Sequence, residues 1–119
     1  MPAINLTEAL KTEYNNLFNA CIIRNERLHE AEKVVNRIIA GKNRYELVSS
    51  QLNIPWYFIA AIHNMESSQN FNSHLHNGDP LTTRTVHVPA GRPTNGNPPF
   101  TWEQSAIDSL QFQKLDSRY

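Results

Sequence analysis

The distribution of helix-breaking residues constrains this fold more than any other feature of the sequence. Residues 5–40 contain neither glycine nor proline, whereas residues 72–99 contain five of the chain's seven prolines. Proline and glycine interrupt helices, so a long stretch without them permits helix formation. The chain therefore divides into a helical N-terminal part, a loop-rich part and a final segment with a helical pattern.

Apolar residues in the N-terminal part recur with mostly three- and four-residue steps, which is the period of an amphipathic helix. Asn5 and Glu8 have the spacing of a capping box at its start, and Gly41 is a typical C-terminal stop. Arg24 interrupts the apolar stripe, so two helices with a break near residues 24–27 also fit the pattern. The stripe consists of Leu10, Tyr14, Leu17, Cys21, Leu28, Ala31, Val35 and Ile38.

A further helical pattern leads to a single glutamate. Residues 44–52 form a short helical segment, and Pro55 starts the next helix because proline fits a first helical turn. Glu66 comes four residues after Ile62 and seven after Ile59, so it shares the apolar face of this helix. We therefore expect Glu66 to be buried at the core or at the rim of a cleft.

The loop-rich part contains one strand-like pattern. The run LTTRTVHV, residues 81–88, alternates apolar and polar residues, and the preceding NGDP is a turn signal, so a short β-hairpin is predicted. Thr101 and Gln104 form a capping box at the start of the last helix. The predicted fold class is α+β, mostly helical, in a single domain. Its predicted parts are helices over residues 5–66, a hairpin and loops over 67–100 and a helix over 101–115, within residues 1–119.

Charge and cysteine content exclude several classes of protein. Eleven lysines and arginines balance eleven aspartates and glutamates, unlike the basic surface of a nucleic-acid-binding protein. No segment approaches the ~20 apolar residues of a membrane span, and the N-terminus lacks the pattern of a signal peptide. We expect no nucleic-acid partner, no membrane insertion and synthesis in the cytoplasm. Cys21 permits no internal disulfide and is expected to be a core thiol.

The run LNIPWYFIAAIHNMESSQNF, residues 52–71, resembles the active-site helix of the lysozyme-like superfamily, which includes goose-type lysozymes and lytic transglycosylases. In that superfamily a proline-containing turn leads into an Ala- and Ile-rich helix that ends in Glu-Ser. The next segment resembles phage-type lysozymes, where a hairpin carries Asp and, six positions later, Thr. Asp79 and Thr85 have this separation. Residues 50–110 also resemble a little-characterised bacterial and phage lysozyme-like family.

The resemblance implies a fold with a small hairpin beside the catalytic helix, and cleavage of the MurNAc-GlcNAc β-1,4 bond of peptidoglycan. Glu66 would be the general acid, Asp79 the base or electrostatic partner, and Thr85 would position a water. No cofactor is implied. The candidate substrate-binding residues are Ser67, which matches the serine after the catalytic glutamate, and His63, Asn70 and His87.

Glycoside cleavage requires different surroundings for the two carboxylates, Glu66 and Asp79. A general acid must hold its proton near neutral pH, and burial of Glu66 beside Phe58, Ile62 and Met65 would favour its protonated form. Asp79, in a more polar loop, would stay ionised and either stabilise the oxocarbenium ion or activate water.

Two other functions are compatible with the sequence. A lytic transglycosylase works with one glutamate, and a non-catalytic glycan-binding or structural module of a phage or delivery particle needs no acid. The end of the chain soon after the Trp102 helix favours the module, whereas a substrate-sized groove with Glu66 at its floor would favour an enzyme. No metal site is predicted, because the histidines lack a cysteine pair or a His-Glu-x-x-His sequence. An endolysin-like enzyme without a leader would reach the cell wall through a holin, a secretion system or a phage tail.

Overall fold

The computed structural model describes residues 5–116, which form five α-helices. None of the described helices combines the length and apolar character needed to cross a bilayer. The chain divides into two compact units, Met1–Val34 and Val35–Tyr119. The helices are α1 (Glu8–Ala20), α2 (Asn25–Ala40), α3 (Lys42–Leu52), α4 (Trp56–Ser67) and α5 (Trp102–Phe112).

The first unit contains α1 and the beginning of α2. Oγ1 of Thr7 accepts a hydrogen bond from the Leu10 N–H at 3.2 Å, so the N-cap is Thr7 and the predicted cap at Asn5 is wrong. The break between the helices covers residues 21–24, slightly earlier than predicted. Neither α1 nor α2 contains a buried residue, and Cys21 is exposed, so the prediction of a core thiol is also wrong.

The second unit is built around α3, which packs on both α4 and α5. Each of these helices contributes one apolar face, and three loop residues complete the core. Burial of these faces supplies the main driving force for folding the unit. The buried apolar residues are Tyr45, Val48, Leu52, Ile59, Ala60, Leu75, Leu81, Phe100, Trp102, Ala106 and Leu110.

A chain of hydrogen bonds crosses this core from α3 through α4 to the following loop. The buried His63 Nε2–H donates to the Asn70 carbonyl at 3.0 Å, so Nδ1 is the acceptor for the Tyr45 hydroxyl at 2.7 Å. Burial lowers the pKa of His63 and raises the pKa of Tyr45 to about 12, so both side chains are neutral. Phe71 and Trp102 pack on the imidazole, with ring centroids 4.6 and 4.7 Å from its own.

Helix α5 begins as the sequence predicts. Thr101 Oγ1 accepts from the Gln104 N–H at 3.1 Å, and Gln104 Oε1 accepts from the Thr101 N–H at 2.9 Å. The predicted capping box is therefore confirmed. The helix ends at Phe112, three residues before the predicted end, and buries Trp102 in the core.

The region between α4 and α5 differs most from the prediction. No β-strand forms anywhere in residues 5–116, so the α+β class with a β-hairpin is wrong and the described fold is all-helical. A single antiparallel bridge, between Ser73 and Pro80, stands where the hairpin was expected. The chain here is a long irregular loop, which we call the 72–100 loop.

The failure of the hairpin has a local cause. The backbone N–H groups of Val86 and His87 donate to Oδ2 of Asp79, at 2.9 and 3.0 Å, instead of pairing with a second strand. Pro89 and Pro93 have no N–H to contribute to a ladder. Alternating β-branched residues favour a strand only where a partner strand is available, because the preference reflects packing on a sheet.

Side chains fasten the 72–100 loop to α5. The buried Ser105 Oγ lies 2.9 Å from His74 Nδ1 and accepts from the Leu75 N–H at 3.2 Å. Since His74 Nε2 donates to the Thr83 carbonyl at 2.7 Å, Nδ1 is the acceptor for the serine hydroxyl. One turn further along α5, Asp108 accepts from His76 Nε2 at 2.6 Å. Helix α5 thereby holds both histidines of the loop.

Arg92 reinforces this connection. Its guanidinium binds Asp108 in a bidentate manner, with Nε at 3.1 Å from Oδ2 and Nη2 at 2.7 Å from Oδ1. Charge-assisted bidentate pairs of this kind are stronger and more directional than neutral hydrogen bonds. The loop is thus attached to α5 at its beginning, through His74 and His76, and near its end.

We expect Ser105→Ala to lower the free energy of unfolding by about 1–3 kcal/mol, because it leaves His74 Nδ1 and the Leu75 N–H buried without a partner. Urea unfolding followed by circular dichroism measures this loss. Ser50→Ala, at an exposed position on α3, is the matched control and should change stability by no more than about 0.5 kcal/mol. If the two substitutions lower the free energy of unfolding equally, Ser105 does not stabilise the attachment of the loop to α5.

Candidate functional site

Glu66 lies in the last turn of α4 with its side chain exposed. The buried residues of α4 are Ile59, Ala60 and His63, so the core stops one turn before Glu66. Phe58 is 41% exposed and Met65 82% exposed. The predicted apolar surroundings of Glu66 are therefore wrong: it shares the angular position of Ile59 but lies beyond the end of the core.

A tight turn of the 72–100 loop packs against this end of α4. Gly78 has φ +84°, and a Cβ placed there would lie 3.3 Å from the Glu66 carbonyl oxygen. A side chain at this position would be both strained and crowded, so the turn depends on glycine. Because Asp79 follows directly, the structure brings the backbone segments that carry the two predicted catalytic carboxylates into contact.

Asp79 is nearly buried, with 8% of its surface exposed. Oδ2 accepts from the backbone N–H groups of Val86 and His87, and Oδ1 accepts from His87 Nδ1–H at 2.8 Å. These bonds, led by the His87 backbone N–H, lower the pKa of Asp79 to about 2. Asp79 is ionised at neutral pH, as predicted, but its oxygens are directed at its own loop.

His87 is the exposed member of this pair, with 82% of its side chain accessible. Its backbone is also fixed, because Asn77 Nδ2 donates to the His87 carbonyl at 3.1 Å. Asn77 Oδ1 in turn accepts from the Asp79 N–H at 3.0 Å. The sequence suggested His87 as a substrate-binding residue but did not indicate that Asp79 orients its ring.

Thr85 does not have the free hydroxyl expected of a residue that positions a water. The residue is 4% exposed, and its Oγ1 donates to the Pro89 carbonyl at 2.5 Å. The same oxygen accepts from the Arg92 N–H at 2.8 Å. Thr85 therefore closes the turn between residues 85 and 92.

The remaining predicted substrate-binding residues lie in different surroundings. His63 is fully buried with both ring nitrogens bonded, so it has no access to a ligand. Ser67 is half-buried, and its Oγ lies 3.5 Å from the His63 carbonyl. Asn70 is exposed, but its Oδ1 accepts from the Asn72 N–H at 2.9 Å and caps a local turn. Of the four, only His87 is exposed with its ring oriented by a carboxylate.

Two cavities of the second unit lie away from Glu66. One, of about 370 Å³, is lined by Arg37, Ala40, Gly41, Arg44, Gln69 and Phe71. The other, of about 320 Å³, is lined by residues between Pro93 and Gln111. Neither of these two cavities has Glu66 or Asp79 in its lining, so neither is the groove that would favour an enzyme over a binding module. Across residues 5–116, no group of three or more His, Cys, Asp or Glu side chains is placed to hold a metal ion.

Comparison with protein-family models, curated proteins and solved structures gives no match to this chain. The resemblance of residues 52–71 to the lysozyme-like superfamily therefore stays a prediction from the sequence. The chemistry of Glu66, Asp79 and His87 has to be inferred from their positions.

We expect the stability of the protein to fall in two steps as the pH is lowered. Burial holds the pKa of His63 and His76 below the usual 6.5, and hydrogen bonds lower the pKa of Asp79 to about 2. The unfolded chain binds these protons at a higher pH than the folded chain does. The free energy of unfolding therefore decreases first below about pH 6.5, from the histidines, and again below about pH 4, from Asp79.

Urea unfolding at pH values from 8 to 3 tests this expectation. His29→Gln, which replaces an exposed histidine in the first unit, is the control and should leave the slope between pH 7 and 5 unchanged. A free energy of unfolding that stays constant from pH 8 to 5 would contradict the burial of neutral histidines.

Proposed function

We propose that the chain is a muramidase that cleaves the β-1,4 bond between MurNAc and GlcNAc in peptidoglycan glycan strands, with Glu66 as the general acid. One observation carries the proposal: the turn before Asp79 packs on the last turn of α4, where Glu66 is exposed. An accessible carboxylic acid and a fixed carboxylate on adjoining segments are the two groups that glycoside cleavage requires.

The proposed roles of Glu66 and Asp79 follow from the difference in their exposure to solvent. Glu66 is accessible to a glycan strand and would donate its proton to the leaving oxygen. A bound sugar would exclude water from the carboxyl group during proton transfer. Asp79 would stabilise positive charge at the anomeric carbon electrostatically, because its carboxylate is fixed and ionised.

The site of action follows from this substrate. Glycan strands lie in the cell wall, so the chain would act there after release or delivery by a holin, a secretion system or a phage tail. Glycoside cleavage by general acid catalysis proceeds without a cofactor.

A second candidate, lytic transglycosylase, is favoured by the hydrogen bonds of Asp79. Three donors of its own loop occupy the carboxylate, so it is poorly placed to remove a proton from water. A transglycosylase needs only Glu66: it protonates the leaving oxygen and then accepts the proton of the C6 hydroxyl, which attacks the anomeric carbon. The product ends in a 1,6-anhydro sugar instead of a reducing sugar.

We expect Glu66→Gln to lower the rate of lysis on the order of 10²-fold or more while leaving the fold intact, since an exposed carboxyl is replaced by an amide of similar shape. Turbidity of a purified peptidoglycan suspension measures the rate. Glu13→Gln makes the same chemical change at an exposed position of α1 and should lyse like the unmodified chain.

The products decide between the functions. Mass analysis of muropeptides with reducing ends indicates hydrolysis, whereas 1,6-anhydro ends indicate transglycosylation. If the unmodified chain sediments with peptidoglycan but releases no muropeptides, the chain is a binding module and both enzymatic assignments are wrong. Lysis by the Glu66→Gln variant at the unmodified rate would rule out Glu66 as the acid.

A further inference from the structure

Asp79 and His87 form an oriented pair whose exposed member is the histidine. The Asp79 carboxylate accepts three hydrogen bonds and is only 8% exposed, so it is in contact with its own loop and has little access to a substrate. His87, by contrast, has 82% of its side chain accessible to solvent. Any group that approaches this pair from solution meets the imidazole first.

The hydrogen bonds also determine which ring nitrogen of His87 carries the proton. Asp79 Oδ1 lies 2.8 Å from Nδ1, and its partner Oδ2 already accepts from two backbone N–H groups. A carboxylate in this position is an acceptor, so Nδ1 of the imidazole is the donor. The neutral ring then has its lone pair on Nε2. Within residues 5–116, no group forms a hydrogen bond with Nε2, and the side chain is 82% exposed, so this atom is a proton acceptor that faces solution.

One short turn connects His87 with the end of α4. Asn77 donates to the carbonyls of His87, at 3.1 Å, and Val88, at 3.4 Å. The next residue, Gly78, packs against the Glu66 carbonyl. The turn therefore fixes the His87 segment on one side and contacts the Glu66 segment on the other.

We propose that His87 is a second catalytic residue, and that it removes the proton from the water that attacks the anomeric carbon, with Asp79 as its positioning residue. This inference rests on the proposed muramidase function and answers the difficulty that Asp79 itself is occupied. Aspartate fixes the histidine tautomer and stabilises the imidazolium in the same way in other enzymes that use His as a base.

The reaction balances with these groups alone. Glu66 gives its proton to the leaving oxygen as the bond from that oxygen to the anomeric carbon breaks. The water oxygen forms the new bond to the anomeric carbon, and His87 Nε2 takes one of its protons. The products are two shortened glycan ends, a carboxylate at Glu66 and an imidazolium held by Asp79. Release of the imidazolium proton to solvent and uptake of a proton by Glu66 restore the starting state.

The test compares His87→Ala, Asp79→Asn and their combination with the unmodified chain on purified peptidoglycan. We expect His87→Ala to lower kcat on the order of 10²-fold or more, with little change in KM, because the imidazole acts on water and not on binding. Added imidazole should restore part of the activity of His87→Ala but not that of Glu66→Gln. His29→Ala, which removes another exposed histidine, should retain full activity.

The combination tests whether Asp79 acts through His87. If it does, Asp79→Asn slows the His87→Ala variant less than it slows the unmodified chain, because the carboxylate has lost the ring that it positions. If Asp79→Asn and His87→Ala each lower the rate by a factor and the two factors multiply in the double variant, the coupling is overturned. Asp79→Asn also removes a charged acceptor from the loop. The melting temperature of this variant and the ¹⁵N signals that report the His87 tautomer are therefore measured together with its rate. A Nδ1–H tautomer in the unmodified chain that is lost in Asp79→Asn supports the pair.

The outcomes separate this inference from the function on which it rests. If Glu66→Gln is inactive and His87→Ala is as active as the unmodified chain, the muramidase function stands and the role of His87 is overturned. If the unmodified chain releases only 1,6-anhydro ends, no water is activated and the role of His87 is overturned in the same way. An unmodified chain that releases no muropeptides overturns both.

Discussion

The backbone of the 72–100 loop has no neighbouring strand within the described chain, so its polar groups are bonded within turns of the loop and by side chains. Asp79 accepts hydrogen bonds from two successive backbone N–H groups, and the Thr85 hydroxyl bonds to both ends of a turn. Ser105 of α5 accepts a hydrogen bond from a backbone N–H near the start of the loop. A buried backbone group left without a partner is costly, which makes these three side chains necessary for the loop and for what it carries. These side chains, together with the backbone bonds of the turns, position His87 and the turn beside Glu66.

Local signals in the sequence were sufficient for the helices of the second unit. The Thr101–Gln104 capping box and Pro55 each act on residues within one helical turn, so their effect does not depend on the rest of the fold. The predicted segment 44–52 corresponds to α3, and the helix predicted from Pro55 corresponds to α4. The pairing of the two carboxylate-bearing segments also has a sequence signal, the Gly78–Asp79 turn, although its partner on α4 was not predictable from the chain alone.

The wrong predictions for the hairpin, Glu66 and Cys21 concern properties that depend on the surrounding structure and not on the pattern within one segment. Alternation of apolar and polar residues over 81–88 leads to a strand only if another strand pairs with the segment. Here the Asp79 carboxylate, and not a second strand, accepts the hydrogen bonds of two backbone N–H groups. The helical period placed Glu66 on the face of Ile59 correctly, but it does not show where the core ends along the helix. The same limit applies to Cys21, whose apolar neighbours suggested burial while neither flanking helix contains a buried residue.

Asp79 illustrates why a sequence cannot distinguish a structural aspartate from a catalytic one. The two oxygens of its carboxylate have separate partners: Oδ2 holds two backbone N–H groups, and Oδ1 holds the imidazole of His87. The bonds that shape the turn thus also set the orientation of an exposed ring. Glu66 and His87 are both exposed, so in the proposed mechanism water is excluded from them only when the glycan covers them. In that mechanism the protein would supply orientation before binding, and the glycan strand would supply the low-dielectric surroundings in which the proton transfers take place.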